Sequence, residues 1–176
     1  MPAREIHVCD ANCLISLQLH FGRKAISALR RLGKTGGCKL PEGVVRELIH
    51  STDKLAGFVQ GQRSHIEVRV RQIPALHTEI PRLDMQYGEK IRVGTQEYAG
   101  FWHSKAGRRA ADAQVVAVAK LLRGGVAVSD DGAVKLACAL EGVPCIGWSE
   151  FARRLGLIKP ATPLLPGLDI GGGSGG

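Results

Sequence analysis

The sequence predicts an α/β protein: a three-layer α/β/α sandwich in which helices cover both faces of a central, mainly parallel sheet. Short apolar runs, typical of buried strands, alternate along the chain with longer segments of helical periodicity. This alternation is the pattern of repeated strand–helix–strand units. The short runs carry few polar residues, and strands that are apolar on both faces need helices on both sides.

The first part of the chain predicts two strands and two helices. Residues 6–9 form an apolar strand, and apolar side chains recur at helical spacing over residues 12–32, which predicts one long helix. Gly33 ends that helix. Residues 38–40 predict a second strand, and Pro41 suits the first turn of the helix that follows.

The middle of the chain has weaker patterns. Apolar and charged residues alternate over 66–70, which predicts a strand at the edge of the sheet. Pro74 and Pro81 predict breaks in the segment after it. Residues 96–103 predict a turn of helix. Two further stretches give no clear prediction, residues 52–63 and residues 74–94.

The last part of the chain returns to a clear alternation. Residues 108–122 are apolar nearly all round at helical spacing, which predicts a buried helix. A strand over 126–128, a helix over 133–140 and a last strand over 143–146 follow.

The chain of 176 residues is long enough for one domain, which we expect to span residues 1–158. Residues 159–176 contain three prolines and end in GGGSGG. Their composition is that of a flexible linker and resembles the scar of a fusion protein, so we leave them out of the predicted fold.

The charge balance is basic, with 24 Lys and Arg against 16 Asp and Glu, or +8. Such a surface favours a polyanion, and nucleic acid is the most common one in a cytoplasm. The five cysteines are odd in number and contain no CxxC pair, which argues against a disulfide framework or a zinc knuckle. We see neither an export signal nor an apolar run long enough to span a bilayer, so we expect a cytoplasmic protein with reduced thiols.

Acidic residues stand at the predicted junctions of strands and helices. Asp10 ends the first strand, Asp130 and Asp131 follow the strand at 126–128, and Asp112 lies near the start of the buried helix. Glu47 borders the apolar face of its helix. Each acid alone has an ordinary explanation: Asp and Asn cap helices, acids suit helix N-termini, and exposed glutamates are common.

Together, the acids predict a site. Ligands of parallel sheets bind beyond the carboxyl ends of the strands, where several of these acids fall. Clustered carboxylates repel one another unless a cation lies between them, and an all-oxygen cluster suits Mg²⁺ or Mn²⁺. Such a site on a basic protein suits the cleavage of nucleic acid.

Four segments of the chain, in order, resemble the motifs of PIN-domain ribonucleases, a family that includes the VapC-type toxins of bacterial toxin–antitoxin pairs. VCDANCLI is similar to the first motif, an apolar strand with an Asp, and LPEGVVREL to the second. ADAQVVAVAK is similar to the third motif. VSDDGAVKLACALEGVPCIGW is similar to the fourth, a Thr or Ser, any residue and an Asp, followed by a helix and a last strand. The likeness covers most of residues 6–158, but residues 64–105 match nothing in the family.

The resemblance implies an α/β/α sandwich and an endoribonuclease that hydrolyses RNA with Mg²⁺ or Mn²⁺. It also implies a cognate antitoxin and a homodimer as partners. Asn12 and Ser129 would orient water or metal ligands. Asp130, in the variable position of the fourth motif, is an accessory ligand candidate. The implied catalytic and metal-binding residues are Asp10, Glu47, Asp112 and Asp131.

Lys105, Arg108 and Arg109 precede Asp112 and are candidates for phosphate contacts; a solvated helix start explains them equally well. Two other functions within the same resemblance stay open: a PIN-like module that binds RNA or protein without cutting, and a housekeeping nuclease that processes RNA. A phosphatase with an Asp nucleophile ranks below these, because its chemistry usually needs a second Asp where this chain has Asn12.

Overall fold

The computed structural model describes residues 4–50, 54–104 and 109–159. A five-stranded sheet and a separate two-stranded hairpin make up its β structure. The strands are β1 (Ile6–Cys9), β2 (Cys38–Pro41), β3 (Glu67–Val68), β4 (Ile91–Val93), β5 (Gln96–Tyr98), β6 (Gly125–Val128) and β7 (Cys145–Ile146).

The helices of the described residues fill the connections between these strands. They are α1 (Ala11–Phe21), α2 (Arg23–Lys34), α3 (Glu42–Ile49), α4 (Lys54–Ile66), α5 (Leu76–Tyr87), α6 (Phe101–Ser104), α7 (Arg109–Leu121), α8 (Gly132–Glu141) and α9 (Trp148–Arg154). A single turn of 3-10 helix, Val70–Gln72, follows β3. Among the described residues, none of these helices is both long enough and apolar enough to cross a bilayer.

The main sheet has the order β3-β2-β1-β6-β7, and each neighbouring pair is parallel. β1 therefore lies at the centre, with β2 and β6 on its two sides. Cys9 pairs with Val128, so β1 and β6 end level with each other. The strand order reverses at β1, because the chain first builds outward to β3 and then continues at β6 on the other side. This is the position at which open parallel sheets bind ligands.

Two groups of helices cover the sheet, which confirms the predicted α/β/α class. α1 packs against α2, α4 and α9, and α7 packs against α5, α8 and three strands, β1, β2 and β6. Right-handed crossovers place helices on opposite faces when the strand order runs in opposite directions. α3 contacts helices of both groups, α1 and α7 among them. Fully buried aromatic and aliphatic side chains, such as Phe58, Phe101 and Phe151, fill the core.

The long helix predicted over 12–32 is wrong, because the structure has two helices there. Gly22 separates them with a φ of 51°, a left-handed backbone that ends α1 and turns the chain into α2. Apolar periodicity continues through both helices, since both bury one face. The pattern therefore gave no sign of the break.

The middle of the chain also differs from the prediction. Pro81 lies inside α5 instead of ending the segment. α5 tolerates the missing amide hydrogen bond because it packs along α7 and buries Leu76, Leu83 and Tyr87. The strand predicted over 66–70 is shorter, although it does lie at the sheet edge.

The turn of helix predicted over 96–103 is β5 followed by α6. Three helices have no counterpart in the sequence prediction, α4, α5 and α9. The linker-like residues 160–176 lie outside the described residues.

Candidate active site at the carboxyl edge of the sheet

Asp10 and Ser129 leave adjacent strands at the same level of the sheet. The Asp10 amide continues the ladder by donating to the Val128 carbonyl at 2.9 Å. The Ser129 hydroxyl then donates to Asp10 Oδ2 at 3.1 Å. Both side chains are buried, with 2% and 0% of their residues exposed. The sequence thus places a carboxylate and a hydroxyl in direct contact at the strand-order reversal.

The Asp10 side chain does not cap α1. Asp10 holds the N-cap position with an extended backbone, but its carboxylate accepts no capping hydrogen bond from the helix. The expectation that one carboxylate oxygen caps the helix is therefore wrong. The Ser129 hydroxyl, rather than the helix amides, is the hydrogen-bond donor that the structure shows on this carboxylate.

Asp112 is a second buried carboxylate on the same side of the fold. It lies in the first turn of α7 and is 2% exposed. The N-terminus of α7 lies toward the carboxyl edge, because its other end packs at the start of β6, where Gly125 meets Ala119. The positive end of the helix dipole favours an acid at this position.

Glu47 lies on the face of α3 that is turned toward α7. Gly43, one helical turn earlier, donates its amide to Gln114 Oε1 at 2.8 Å. A side chain at Gly43 would lie 3.2 Å from the Ala111 Cα, so the two helices touch at this point. Residues four apart share a helix face, so Glu47 continues the face of Gly43. Glu47 is half-buried.

Asp131 caps α8 with one carboxylate oxygen. Its Oδ1 accepts from the amides of Ala133 at 2.9 Å and Val134 at 3.2 Å. The Asp131 amide donates to the Ser129 hydroxyl at 3.1 Å. Ser129 therefore joins Asp10 to the segment that carries Asp131. Oδ2 of Asp131 makes no hydrogen bond to any part of the chain that the structure describes.

Asp130 ties three helices together. Its Oδ2 accepts from the Trp148 amide at 2.9 Å and from the Cys13 thiol at 3.6 Å, and its Oδ1 faces Lys135 Nζ at 3.1 Å. Partial burial would raise the pKa of Asp130, but the Trp148 amide and Lys135 outweigh burial and hold that pKa below its ordinary value. All of these contacts are structural, so they supply an ordinary reason for the acid at this position.

Cys13 lies between two of the carboxylates. Burial raises the pKa of its thiol, and the negative charges of Asp10 and Asp130 raise it further. The thiol therefore stays protonated at neutral pH and can donate to Asp130. Cys13 is one helical turn after Asp10, which explains why the charge of Asp10 also reaches its thiol.

The remaining predicted residues lie less centrally or outside the description. Asn12, the second residue of α1, is exposed. Arg109 is the first residue of α7, and its side chain is not described. Lys105 and Arg108 lie outside the described residues.

A cavity of about 370 Å³ opens beside Asp131. It is lined by the cap of α8, by Leu136, and by Tyr98 and Ala99 at the end of the hairpin. Gly132 adds no bulk, and a side chain there would find open space. The segment in which the sequence showed no family likeness therefore contributes one wall of this cavity, through Tyr98.

The described residues have the right chemistry for a magnesium-type ion but do not form a complete cage. Carboxylates and a hydroxyl are the oxygen ligands that Mg²⁺ and Mn²⁺ prefer. Among residues 4–50, 54–104 and 109–159, no group of three or more His, Cys, Asp or Glu side chains could hold a metal ion. Mg²⁺ is commonly held by only one or two carboxylates together with water and substrate phosphates, so the two buried acids, Asp10 and Asp112, still fit.

Sequence reasoning missed several parts of this edge. The contacts of Asp130 with Cys13 and Trp148 join residues far apart in the chain, and no local sequence pattern predicts them. The Tyr98 wall depends on a hairpin that the sequence did not predict. The Asp131 cap was foreseeable, since Asp before a helix is a common N-cap.

Comparison with known proteins adds no relative to this picture: no protein-family model matches the chain, and no curated protein is significantly similar to it.

Proposed function

We propose that the protein is a metal-dependent endoribonuclease of the PIN type, which hydrolyses phosphodiester bonds of RNA at the carboxyl edge of its sheet. The observation that carries the proposal is the buried Asp10 carboxylate, held by the Ser129 hydroxyl where the strand order reverses. A buried carboxylate at the ligand-binding edge of a parallel sheet is typical of a functional site.

Asp10 and Asp112 would hold Mg²⁺ or Mn²⁺, with Glu47 and Asp131 beside them. When bound, the ion would supply Lewis-acid polarisation of the phosphodiester and offset the charge that develops on its oxygens. Ser129 fixes the orientation of Asp10 by donating to Oδ2. The cap that Asp131 makes fixes that carboxylate too, through its Oδ1. Fixed ligands of this kind need little rearrangement when a substrate binds.

RNA as substrate follows from charge and from the motif resemblance. A protein with a net charge of +8 attracts phosphate chains, and the site itself is acidic. The motif resemblance further suggests a toxin that a small antitoxin protein neutralises, and a homodimer. Co-purification of the protein with the product of a neighbouring small gene would support the toxin role.

Cleavage of RNA in the presence and absence of metal tests the proposal. The protein should cut structured RNA with Mg²⁺ or Mn²⁺, and EDTA should stop the reaction. Asp10→Asn should abolish cutting but keep the fold, because the amide oxygen can still accept from Ser129. Equal cutting by Asp10→Asn would point to a contaminating nuclease and would contradict the proposed site.

A second candidate function is a PIN-like module that binds RNA or a protein without cutting it. The observation in its favour is that no three-ligand metal group occurs among the described residues. If the protein binds RNA but does not cleave it in any divalent metal tested, the binding module is the correct function and the nuclease is not.

A further inference from the structure

The solvent-exposed face of α2 is almost entirely cationic. Six residues of this helix are exposed, and five of them are Arg or Lys: Arg23, Lys24, Arg30, Arg31 and Lys34, with Ser27 as the sixth. The helix contains no acid. The opposite face is apolar and buried in the core, so the cations form one continuous stripe.

The cations of this stripe differ from those of most other helices in having no acidic partner. Arg46, Arg82 and Arg153, for example, each contact a glutamate on their own helix. Within the part of the chain that the structure describes, none of the five α2 cations makes an ion pair, and neither does Lys54 on the adjoining helix α4. Uncompensated cations side by side repel one another, so the stripe is suited to a polyanion.

Two cavities flank the stripe. One, of about 350 Å³, lies between α2 and α4 and is lined by Arg23, Arg30 and Lys54 together with Ser27. Gly57 of α4 also lines it, so helix backbone without a side chain faces the cavity. The second, of about 340 Å³, is lined by Arg23, Lys24, Ser27 and Arg31 and by residues 155–157. Each cavity brings several cations around a space that phosphate groups could enter.

The stripe lies away from the candidate active site. Its first turns line the same cavity as residues 155–157, which directly follow α9. The last residue of α9, Arg154, binds Glu5 at 2.6 Å, and Glu5 precedes the start of β1. This end of α2 is therefore near the amino ends of the strands, whereas Asp10 leaves the carboxyl end.

We infer that the basic face of α2, together with Lys54 of α4, binds the phosphate backbone of RNA at a distance from the carboxylates. Phosphate contacts of this kind position a chain without reading its bases. The choice of RNA rests on the proposed function, but the binding surface itself needs neither metal nor cleavage.

Binding of a labelled single-stranded RNA in EDTA, followed by fluorescence anisotropy, tests the inference without any cutting. The variant is Arg23→Gln/Arg30→Gln, and the matched control is Arg92→Gln/Arg123→Gln. All four arginines are exposed, and none of them has an ion-pair partner among the described residues. Both double variants lower the net charge equally, and Gln has nearly the helix propensity of Arg.

We expect the α2 variant to bind RNA about 25-fold more weakly at 0.1 M salt, since each lost contact to single-stranded RNA removes roughly 0.7 from the slope of log K against log salt. The slope itself should fall by about 1.4. Lys54→Gln, on a different helix, should weaken binding by about fivefold on the same arithmetic. The control should change both quantities much less.

Three results would overturn the inference. Equal losses in both double variants would mean that only net charge matters. Undiminished RNA binding by the α2 variant, with loss of binding to an acidic peptide such as polyglutamate, would assign the stripe to a protein partner. If the unaltered protein does not bind RNA, the basic face of α2 is not an RNA-binding surface. If RNA binding depends on α2 but no metal supports cleavage, the proposed nuclease activity is rejected and the proposed RNA-binding surface on α2 is retained.

Discussion

Ser129 donates its hydroxyl hydrogen to Asp10 across 3.1 Å, although 119 residues separate the two in sequence. The contact exists because β1 and β6 are neighbours in the sheet and end at the same level. The hydrogen bond joins two residues at the ends of different strands into one buried pair with a fixed orientation. The following expectations test that pair and the elements around it.

Ser129→Ala should lower stability and activity together. The change leaves a buried Asp10 oxygen without this donor and the Asp131 amide without its acceptor, which should cost about 1–3 kcal/mol. Urea unfolding measures the loss, and RNA cleavage measures the effect on kcat. Ser149→Ala, at an exposed serine, serves as the control. Full stability in Ser129→Ala would show that water replaces the hydroxyl without cost.

Asp112→Asn should remove activity but keep the fold. In the proposed site Asp10 and Asp112 would repel each other without metal, and removal of that repulsion offsets the charge–dipole attraction lost at the start of α7, which is worth about 0.3–1 kcal/mol. The melting temperature of the metal-free variant should therefore stay close to that of the parent or rise. A fall of many degrees would make Asp112 a structural residue and weaken the metal site.

Two substitutions of Asp131 separate its capping role from its proposed role at the metal. Asp131→Ala should cost about 0.5–2 kcal/mol, because α8 loses the oxygen that accepts from Ala133 and Val134. Asp131→Asn keeps a good capping side chain and should retain stability. If Asp131 also serves the metal, both variants lose cleavage. If Asp131→Asn still cleaves RNA, Asp131 acts only as the N-cap of α8 and not at the metal.

The network of Glu79 and Glu141 should make stability depend on acid pH. The bonds that Arg82 and Lys120 donate lower the pKa of each glutamate to about 2, against the opposing effect of burial. Because the folded pKa lies below the unfolded value of about 4.5, the stabilisation is complete above pH 4.5 and is lost as the pH falls toward 2.

Glu141→Gln measures this contribution. The variant should be less stable than the parent at pH 6, and the difference should shrink between pH 4.5 and pH 2 in urea titrations. The glutamine has one neutral acceptor oxygen in place of the carboxylate, for the Tyr87 hydroxyl and the Arg82 guanidinium that donate to residue 141. A difference that is constant with pH would show that the network acts through packing alone.

Gly22 and Gly61 should respond to alanine in opposite directions. A side chain at either position would find open space, so only the backbone differs. Gly61 lies inside α4 with a negative φ, and Gly61→Ala should raise stability by about 0.5–1 kcal/mol. Gly22 has a φ of 51°, and Gly22→Ala should lower stability by a similar or larger amount. Thermal unfolding of the two variants side by side provides the comparison.

The parallel sheet was predictable because its strands are short, apolar and separated by helical segments, and the structure has that class of fold. The turn at Gly22 was not predictable, since a glycine in a helical pattern gives no sign of whether its φ is positive. Pro81 misled the prediction, because packing of α5 on α7 compensates for a bond that the helix itself lacks. Local patterns carry no information about such distant compensation.

For the acidic residues, too, the positions could be predicted from the sequence but some of the contacts could not. Their positions at strand ends followed from the sequence, and the contact of Asp10 with Ser129 agrees with the expectation that these ends meet. The contact of Asp130 with the Trp148 amide could not be predicted, because it depends on where α9 packs. The stripe on α2 was not predicted, and its lack of acidic partners became apparent only in the fold.

The contact between α3 and α7 limits how this chain can diversify. A methyl group at Gly43 would lie 2.9 Å from Gln114 Oε1 and 3.2 Å from the Ala111 Cα. A larger residue 43 therefore requires the Gln114 side chain to move and the two helices to separate slightly. A single substitution at this contact would therefore change the spacing between the helices that carry Glu47 and Asp112.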